Sequence, residues 1–299
     1  MSARVSTAMT LILLLSAGSV QAKPIDKRFE QSFDVAPGAT LHLEHGDGDV
    51  TIEAWERDTI EVVVRYHYDV KRWALGGEER DFEMKFDQRG DHVYVAEQPT
   101  GGGVSVGVHA RIRKEYTYTV KAPAYCVLDL KGEDGTVQIA DMQGSLELTS
   151  DDGDIDLFQC SFARAELSVE DGEITVKSCR GDFEVECDDA DLDFEDCEIA
   201  LLRIEIEDGD VDLDLIAGPE VDWEIRSDDG DVDLDFAGDL SAKFSLESDG
   251  GDMRLDIPGL LDVEKRRHSL AGVLREGRGQ VRIRTEDGDI RVRELSTGG

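Results

Sequence analysis

The stretch Glu207–Leu215, EDGDVDLDL, decides how this chain is read. Blurred copies of it recur as HGDGDVTI at 45–52, GEDGTVQI at 132–139, SDDGDIDL at 150–157, VEDGEITV at 169–176 and CDDADLDF at 187–194. More follow as IEDGDVDL at 206–213, SDDGDVDL at 227–234, SDGGDMRL at 248–255 and TEDGDIRV at 285–292. The turn residues Gly135, Gly153, Gly172, Ala190, Gly209, Gly230, Gly251 and Gly288 are separated by 18, 19, 18, 19, 21, 21 and 37 positions. A steady period near 20 marks a stacked repeat architecture. The last interval is about two periods, which predicts one coil that has lost its turn motif.

Each period carries a two-residue alternation. Around Gly209, Leu202, Ile204 and Ile206 precede the turn, and Val211 and Leu213 follow it. Alternating apolar and polar residues mean strands with one buried face. Asp-Gly between two such runs makes the corner, because Gly tolerates positive φ and Asp can bond its own backbone. A meander of hairpins with Asp-Gly turns gives the same alternation, but nothing in a meander demands a fixed period. The expectation is therefore an all-β chain: a parallel β-solenoid with coils of 18–21 residues, preceded by an N-terminal β-sheet portion. Each strand would lie parallel to its copy about 4.8 Å away, with right-handed winding.

Four parts are expected along the 299 residues. Residues 1–22 read as a secretory signal, with Arg4, the apolar run Met9–Leu15 and a small-residue cleavage site at Val20-Gln21-Ala22. The apolar run is too short to span a bilayer, and no later stretch reads as transmembrane. Residues 23–125 form an N-terminal β portion with the first solenoid-like turn. Its longer strands are expected at Thr59–Val70, Asp81–Phe86, His92–Ala96 and Val104–Val120, with glycine loops at Gly76-Gly77 and Gly101–Gly103. Residues 126–262 are the acidic repeats. Residues 263–299 are a basic loop and a C-terminal capping coil, with Arg282, Arg284, Arg291 and Arg293 on its face and a short helix near Ser269–Leu274.

The net charge is −36. That excludes binding nucleic acid or an anionic membrane by charge. Acidity alone can mark disorder, but the regular apolar alternation argues for a packed chain.

The leader, the opening Phe33–Gly38 followed by Leu41–Ile52, the Tyr118–Pro123 strand ending in Pro, and the Gly-Asp-Ile/Val repeats together resemble a bacterial family. It comprises exported β-strand-repeat proteins catalogued as a domain of unknown function and labelled adhesins. The resemblance covers about residues 30–295. It implies a parallel β-solenoid, an exported protein of the periplasm or cell surface, and no demonstrated chemistry. Relatives often place Asn at the turn; this chain has no Asn and uses Asp or Glu there.

Those acids form the best functional clue. Stacking would line Asp152, Asp171, Asp208 and Asp229 into one column before the turn, and Asp154, Glu173, Asp210, Asp231 and Asp252 into another after it. Like charges about 4.8 Å apart repel by roughly 1 kcal/mol in water and about 3–4 kcal/mol at an effective dielectric of 20. Ca²⁺ takes carboxylate oxygens and could bridge two such residues. The alternative is a solvated edge neutralised by diffuse counterions. The nonapeptide motif of β-roll proteins and the EF-hand loop are both absent. Three of the five cysteines, Cys160, Cys179 and Cys197, share a phase and should stack at a second corner. In an oxidising compartment neighbours among them are disulfide candidates; small buried thiols are the alternative.

No catalytic signature is present: no HExxH, no GxSxG and no phosphate loop. His42 and His45 resemble a ligand pair, but on one strand they face opposite sides. The reading is a non-enzymatic exported β-solenoid, a structural or interaction protein of the envelope with no certain cofactor, Ca²⁺ being the candidate. Its partner would be a protein, an envelope polymer or its own copies. The alternative is a Ca²⁺-dependent β-helix enzyme acting on polysaccharide, which would need a basic or His-bearing groove along the coils.

Overall fold

The computed structural model describes residues 25–71, 82–98 and 111–295. The leader and both glycine loops fall outside the described residues. Every regular element among them is a strand, and all the strands join one hydrogen-bonded network. The chain is all-β.

The repeats set the pairing. The strand before a turn lies parallel to the strand before the next turn, so that Leu148 sits between Leu130 and Leu167. The strand after a turn does the same, with Ile155 between Val137 and Ile174. Each repeat is thus a rung of two strands, named here for its turn residue. At Gly172 and Ala190 a single strand, Ala165–Lys177 and Arg180–Asp208, runs unbroken through the turn position. In each rung the alternate residues bury. Leu202, Ile204, Ile206, Val211, Leu213 and Leu215 of the Gly209 rung are all enclosed. Each contributes roughly 1.5–3 kcal/mol on leaving water. Trp223 fills the next rung, fully buried, and its indole Nε1–H donates to Ile199 O at 3.0 Å.

Neither end of the stack follows chain order. The rung Thr40–Glu44 with Asp49–Trp55 pairs on one side with Val127–Asp134 and Val137–Ala140. On its other side lie His92–Gln98 and Arg111–Pro123, which come between them in sequence. Antiparallel strands then close this end: Thr59–Lys71 on Arg111–Pro123, Ile25–Asp34 on Thr59–Lys71, and Glu83–Arg89 on His92–Gln98.

The C-terminal end corrects the sequence reading. Gly279–Asp287 and Ile290–Glu294 do not cap the stack. They insert between the Gly230 rung and the rung of Ala242–Ser248 and Met253–Asp256. The interval of 37 holds no degenerate coil. It holds a hairpin of Leu261–Lys265 and Ser269–Val273, folded antiparallel onto Ala242–Ser248. The residues expected to be a short helix are therefore a strand: Leu270 opposes Leu246 and is buried, and the open backbone edge of Ala242–Ser248 gains a partner. Charge explains the insertion. Arg282 reaches Asp222 and Glu224 at 2.9 and 3.1 Å, Arg291 reaches Asp233 at 3.2 Å, and Arg293 grips Asp235 with two bonds of 2.7 and 2.6 Å. The final hairpin strand ends the sheet with a register shift between Leu261 and Glu264, Asp262 at φ 50°, and Lys265, Arg266 and Arg267 beyond. Bulges and charge of this kind blunt an edge against further strand pairing.

Candidate functional site

The two acidic columns differ in chemistry. Before the turn, Asp134, Asp152, Asp171 and Asp189 are in direct register, as are Asp208, Asp229 and Asp287. After the turn the carboxylates form a ladder. Asp49 accepts from Thr136 N–H, Asp154 from Glu173 N–H, Asp191 from Asp210 N–H and Asp210 from Asp231 N–H. Asp231 then accepts from Asp289 N–H and Asp289 from Asp252 N–H, at 2.8 and 2.7 Å. One oxygen in each of these rungs thus takes an amide of the next, the ladder being interrupted where Thr136 and Glu173 occupy the position. Such charge-assisted bonds are strong for their kind and explain why an acid can hold the place that Asn holds in the resembled family.

The column before the turn has no such relief. Loss of hydration, then the neighbouring carboxylates of Asp152 and Asp189, hold Asp171 above the ordinary Asp range. Asp208 is raised in the same way, with Asp189 and Asp229 as neighbours. The column after the turn is relieved by backbone amides. The insertion also changes one neighbour. Asp252 adjoins Asp289, so Asp229 and Asp231 meet Asp287 and Asp289 rather than the Gly251 rung. Among the described residues no group of three or more His, Cys, Asp or Glu side chains converges to hold a metal ion.

The second corner carries the cysteines. Gln159, Ser178 and Asp196 adopt φ of 53–54°, and each turns the chain so that the next residue, Cys160, Cys179 or Cys197, points inward. Cys160 N–H donates to Cys179 Sγ at 3.3 Å, and Cys197 Sγ–H donates to Val176 O at 3.2 Å. All five cysteines are buried and unbridged. Burial pushes the Cys126, Cys187 and Cys197 thiols up to about 11, about 12 and about 11, far from the reactive thiolate form.

The histidines are divided by the strand alternation. His45 turns inward and is 5% exposed, its imidazole over Gly132, where a β-carbon would stand 2.7 Å from the ring. Burial lowers its pKa, so it stays neutral. Its neighbour Tyr118 donates to Glu97 at 2.5 Å, and Glu97 also accepts Gly46 N–H at 3.0 Å. His42 turns outward, towards His92 and Asp129. Sequence reading missed the pairing with His92, 50 residues away, because only the out-of-order first rungs bring the two together.

These features define a class: an all-β protein of stacked acidic repeats whose polar side chains serve turns, ladders and ion pairs. The chain belongs to the Toastrack DUF4097 family, whose model matches residues 39–293. No curated protein matches it. A solved structure described as a putative cell adhesion protein from Clostridium sporogenes is 12% identical. That likeness covers 91% of this chain and all of the other, with a TM-score of 0.27, and at that score it bears on neither fold nor function. Among the described residues no helix is long and apolar enough to cross a membrane.

Proposed function

We propose that the chain is a non-enzymatic, exported parallel β-solenoid of the cell envelope, in the periplasm or at the cell surface. It presents its ribbed faces to a protein or envelope polymer, and divalent cations steady the acidic column before the turns. Its parts are a leader at 1–22, a β portion at 23–125 that closes one end, acidic repeats at 126–262, and a C-terminal part at 263–299 that supplies the end hairpin and a basic inserted rung. The parallel register of successive repeats supports the winding, and the leader supports export.

One observation carries the cation reading. Asp152, Asp171 and Asp189 stand in register with no opposite charge between them, and Asp171 is held above the usual carboxylate range. Oxygen-seeking Ca²⁺ suits such a column, one ion bridging two carboxylates with water completing its shell. Melting the protein in millimolar Ca²⁺ and in chelator tests it. A higher midpoint with Ca²⁺ is expected, and an unchanged midpoint rejects the cation role. Incubation with acidic polysaccharides should yield no absorbance from unsaturated product; such a product would overturn the non-enzymatic reading. Oxidation of Cys160 with Cys179 belongs to the same proposal. Alkylation of the unfolded, exported protein should leave two of the five thiols unlabelled until reductant is added.

A further inference from the structure

One cluster lies apart from the acidic columns and the cysteine corner. His42 Nδ1 stands 2.6 Å from Asp129 Oδ2, and His42 Nε2 stands 3.0 Å from His92 Nδ1. The three residues come from three successive strands, His92–Gln98, Thr40–Glu44 and Val127–Asp134, on one outward face.

With Asp129 accepting from Nδ1–H of a neutral His42, the Nε2 lone pair of His42 faces His92. A carboxylate behind one ring nitrogen, with the other nitrogen free to ligate, is the arrangement that orients imidazole ligands and raises their basicity in metal sites. The His42 ring is held on a second side by Tyr94, stacked at 4.5 Å and 5°, and Arg89 covers Tyr94 at 5.3 Å. His92 is exposed and sits at the tip of the hairpin formed by Glu83–Arg89 and His92–Gln98. Its ring lies 6.3 Å from that of Tyr94, farther than the 4.5 Å of His42, so His92 is the less enclosed of the two.

We propose that His42 and His92 are the two protein ligands of a transition-metal site, with Asp129 as the positioning residue and water completing the shell. Two metal–nitrogen bonds of about 2.0–2.1 Å meeting at a tetrahedral angle place their nitrogens about 3.3 Å apart, within a few tenths of an ångström of the 3.0 Å present. The rings now lie nearly edge to edge, with centroids 5.3 Å apart and planes 20° apart. A modest swing of His92, with its proton moved to Nε2, aims both lone pairs at one point. Imidazole selects Zn²⁺, Ni²⁺ or Cu²⁺ over Ca²⁺, so this site and the acidic columns take different ions.

The test is calorimetric titration of the full exported chain with Zn²⁺, in buffer holding millimolar Ca²⁺ to occupy the carboxylates. One equivalent of Zn²⁺ should bind. His92→Ala, at an exposed position, should weaken binding at least about 10-fold, and Asp129→Asn by about 10–100-fold. His268→Ala should leave it unchanged. The Cu²⁺-loaded protein should show nitrogen couplings from two imidazoles by electron paramagnetic resonance, reduced to one in His92→Ala. Absence of stoichiometric Zn²⁺ binding, or binding that His92→Ala leaves intact, overturns the proposal whatever the result of the Ca²⁺ melts.

Discussion

Replacing Gly230 with alanine measures how closely successive rungs approach. Gly230 has φ +123°, and a β-carbon there would stand 2.1 Å from Gly209 O and 2.8 Å from Gly209 C. Two costs add. A side chain at such a φ costs about 1–3 kcal/mol. The clash is with backbone, so the rungs must part locally. That strains Val211 N–H to Asp231 O and Asp231 N–H to Asp210, both now 2.9 Å, each contributing about 0.5–1.5 kcal/mol. Alanine recovers about 0.4–1 kcal/mol by restricting the unfolded chain. The net expectation is a loss of about 2–4 kcal/mol.

Gly38 is the control. Its φ is +83°, but nothing lies within 4 Å of its β-carbon position. Gly38→Ala meets the dihedral cost alone and should lose about 1–2 kcal/mol less than Gly230→Ala. Urea unfolding followed by circular dichroism gives both values, with the slope checked for constancy so that the comparison concerns stability and not a changed unfolding unit. Equal losses in the two variants, within about 0.5 kcal/mol, would refute the close stacking of turn on turn.

The acidic column sets a pH dependence. Asp171 and Asp208 titrate above their unfolded values, so the folded protein binds more protons in that window and stability should rise as pH falls through their raised values towards the ordinary Asp value of 3.8. Asp171→Asn with Asp208→Asn should raise the melting midpoint at pH 7 and flatten that rise. Asp222 runs the other way: the Arg203 guanidinium hydrogen-bonded to it holds its carboxyl below the usual range, so its contribution is lost only as pH falls through that lowered value. Trp223→Ala should lose about 3–5 kcal/mol by cavity formation and the orphaned Ile199 carbonyl, read by the same urea titration. Arg291→Asp with Arg293→Asp places acids opposite Asp233 and Asp235 and should expose the last rung to limited proteolysis, a change that added salt partly reverses.

Much of this was legible because β-structure writes itself with period two and stacking writes itself with the repeat length. Val211, Leu213, Val232 and Leu234 announced their inward face, and the turn glycines announced the register. Local pattern could not announce order in space. Nothing within 242–256 says that its neighbour is a segment that follows it by some 37 residues, since the Gly251 motif fits the Gly230 motif as well as the Gly288 motif does. The hairpin at 261–273 was misread for a related reason. Its strands are five residues each, and one is wholly exposed, so no alternation marked them. The His42–His92 pair was hidden by the same out-of-order stacking at the other end, and the carboxylate–amide ladder because its donors are backbone groups, which every sequence has.

The two ends obey one rule. A stack of identical acidic rungs gains apolar burial with every layer, while like charges accumulate in its outward columns. At the C-terminal end the outward columns of the Gly209 and Gly230 rungs run Asp212 to Asp233 and Asp214 to Asp235. Loss of hydration, then Asp233 for Asp212, and Asp196 and Asp235 for Asp214, raise these carboxyls. Another acidic rung would extend that repulsion. The basic rung ends it, Arg291 and Arg293 facing Asp233 and Asp235, and its far side receives Arg254 and Asp256 in register. Exposed ion pairs contribute little singly, but here those of Arg291 and Arg293 also end a run of like charges, which outweighs the register of Arg284 with Arg226 and of Arg291 with Arg254 as a reason for this place in the stack. Were hydrophobic fit alone decisive, reversing the charges of Arg291 and Arg293 would leave the layer order untouched.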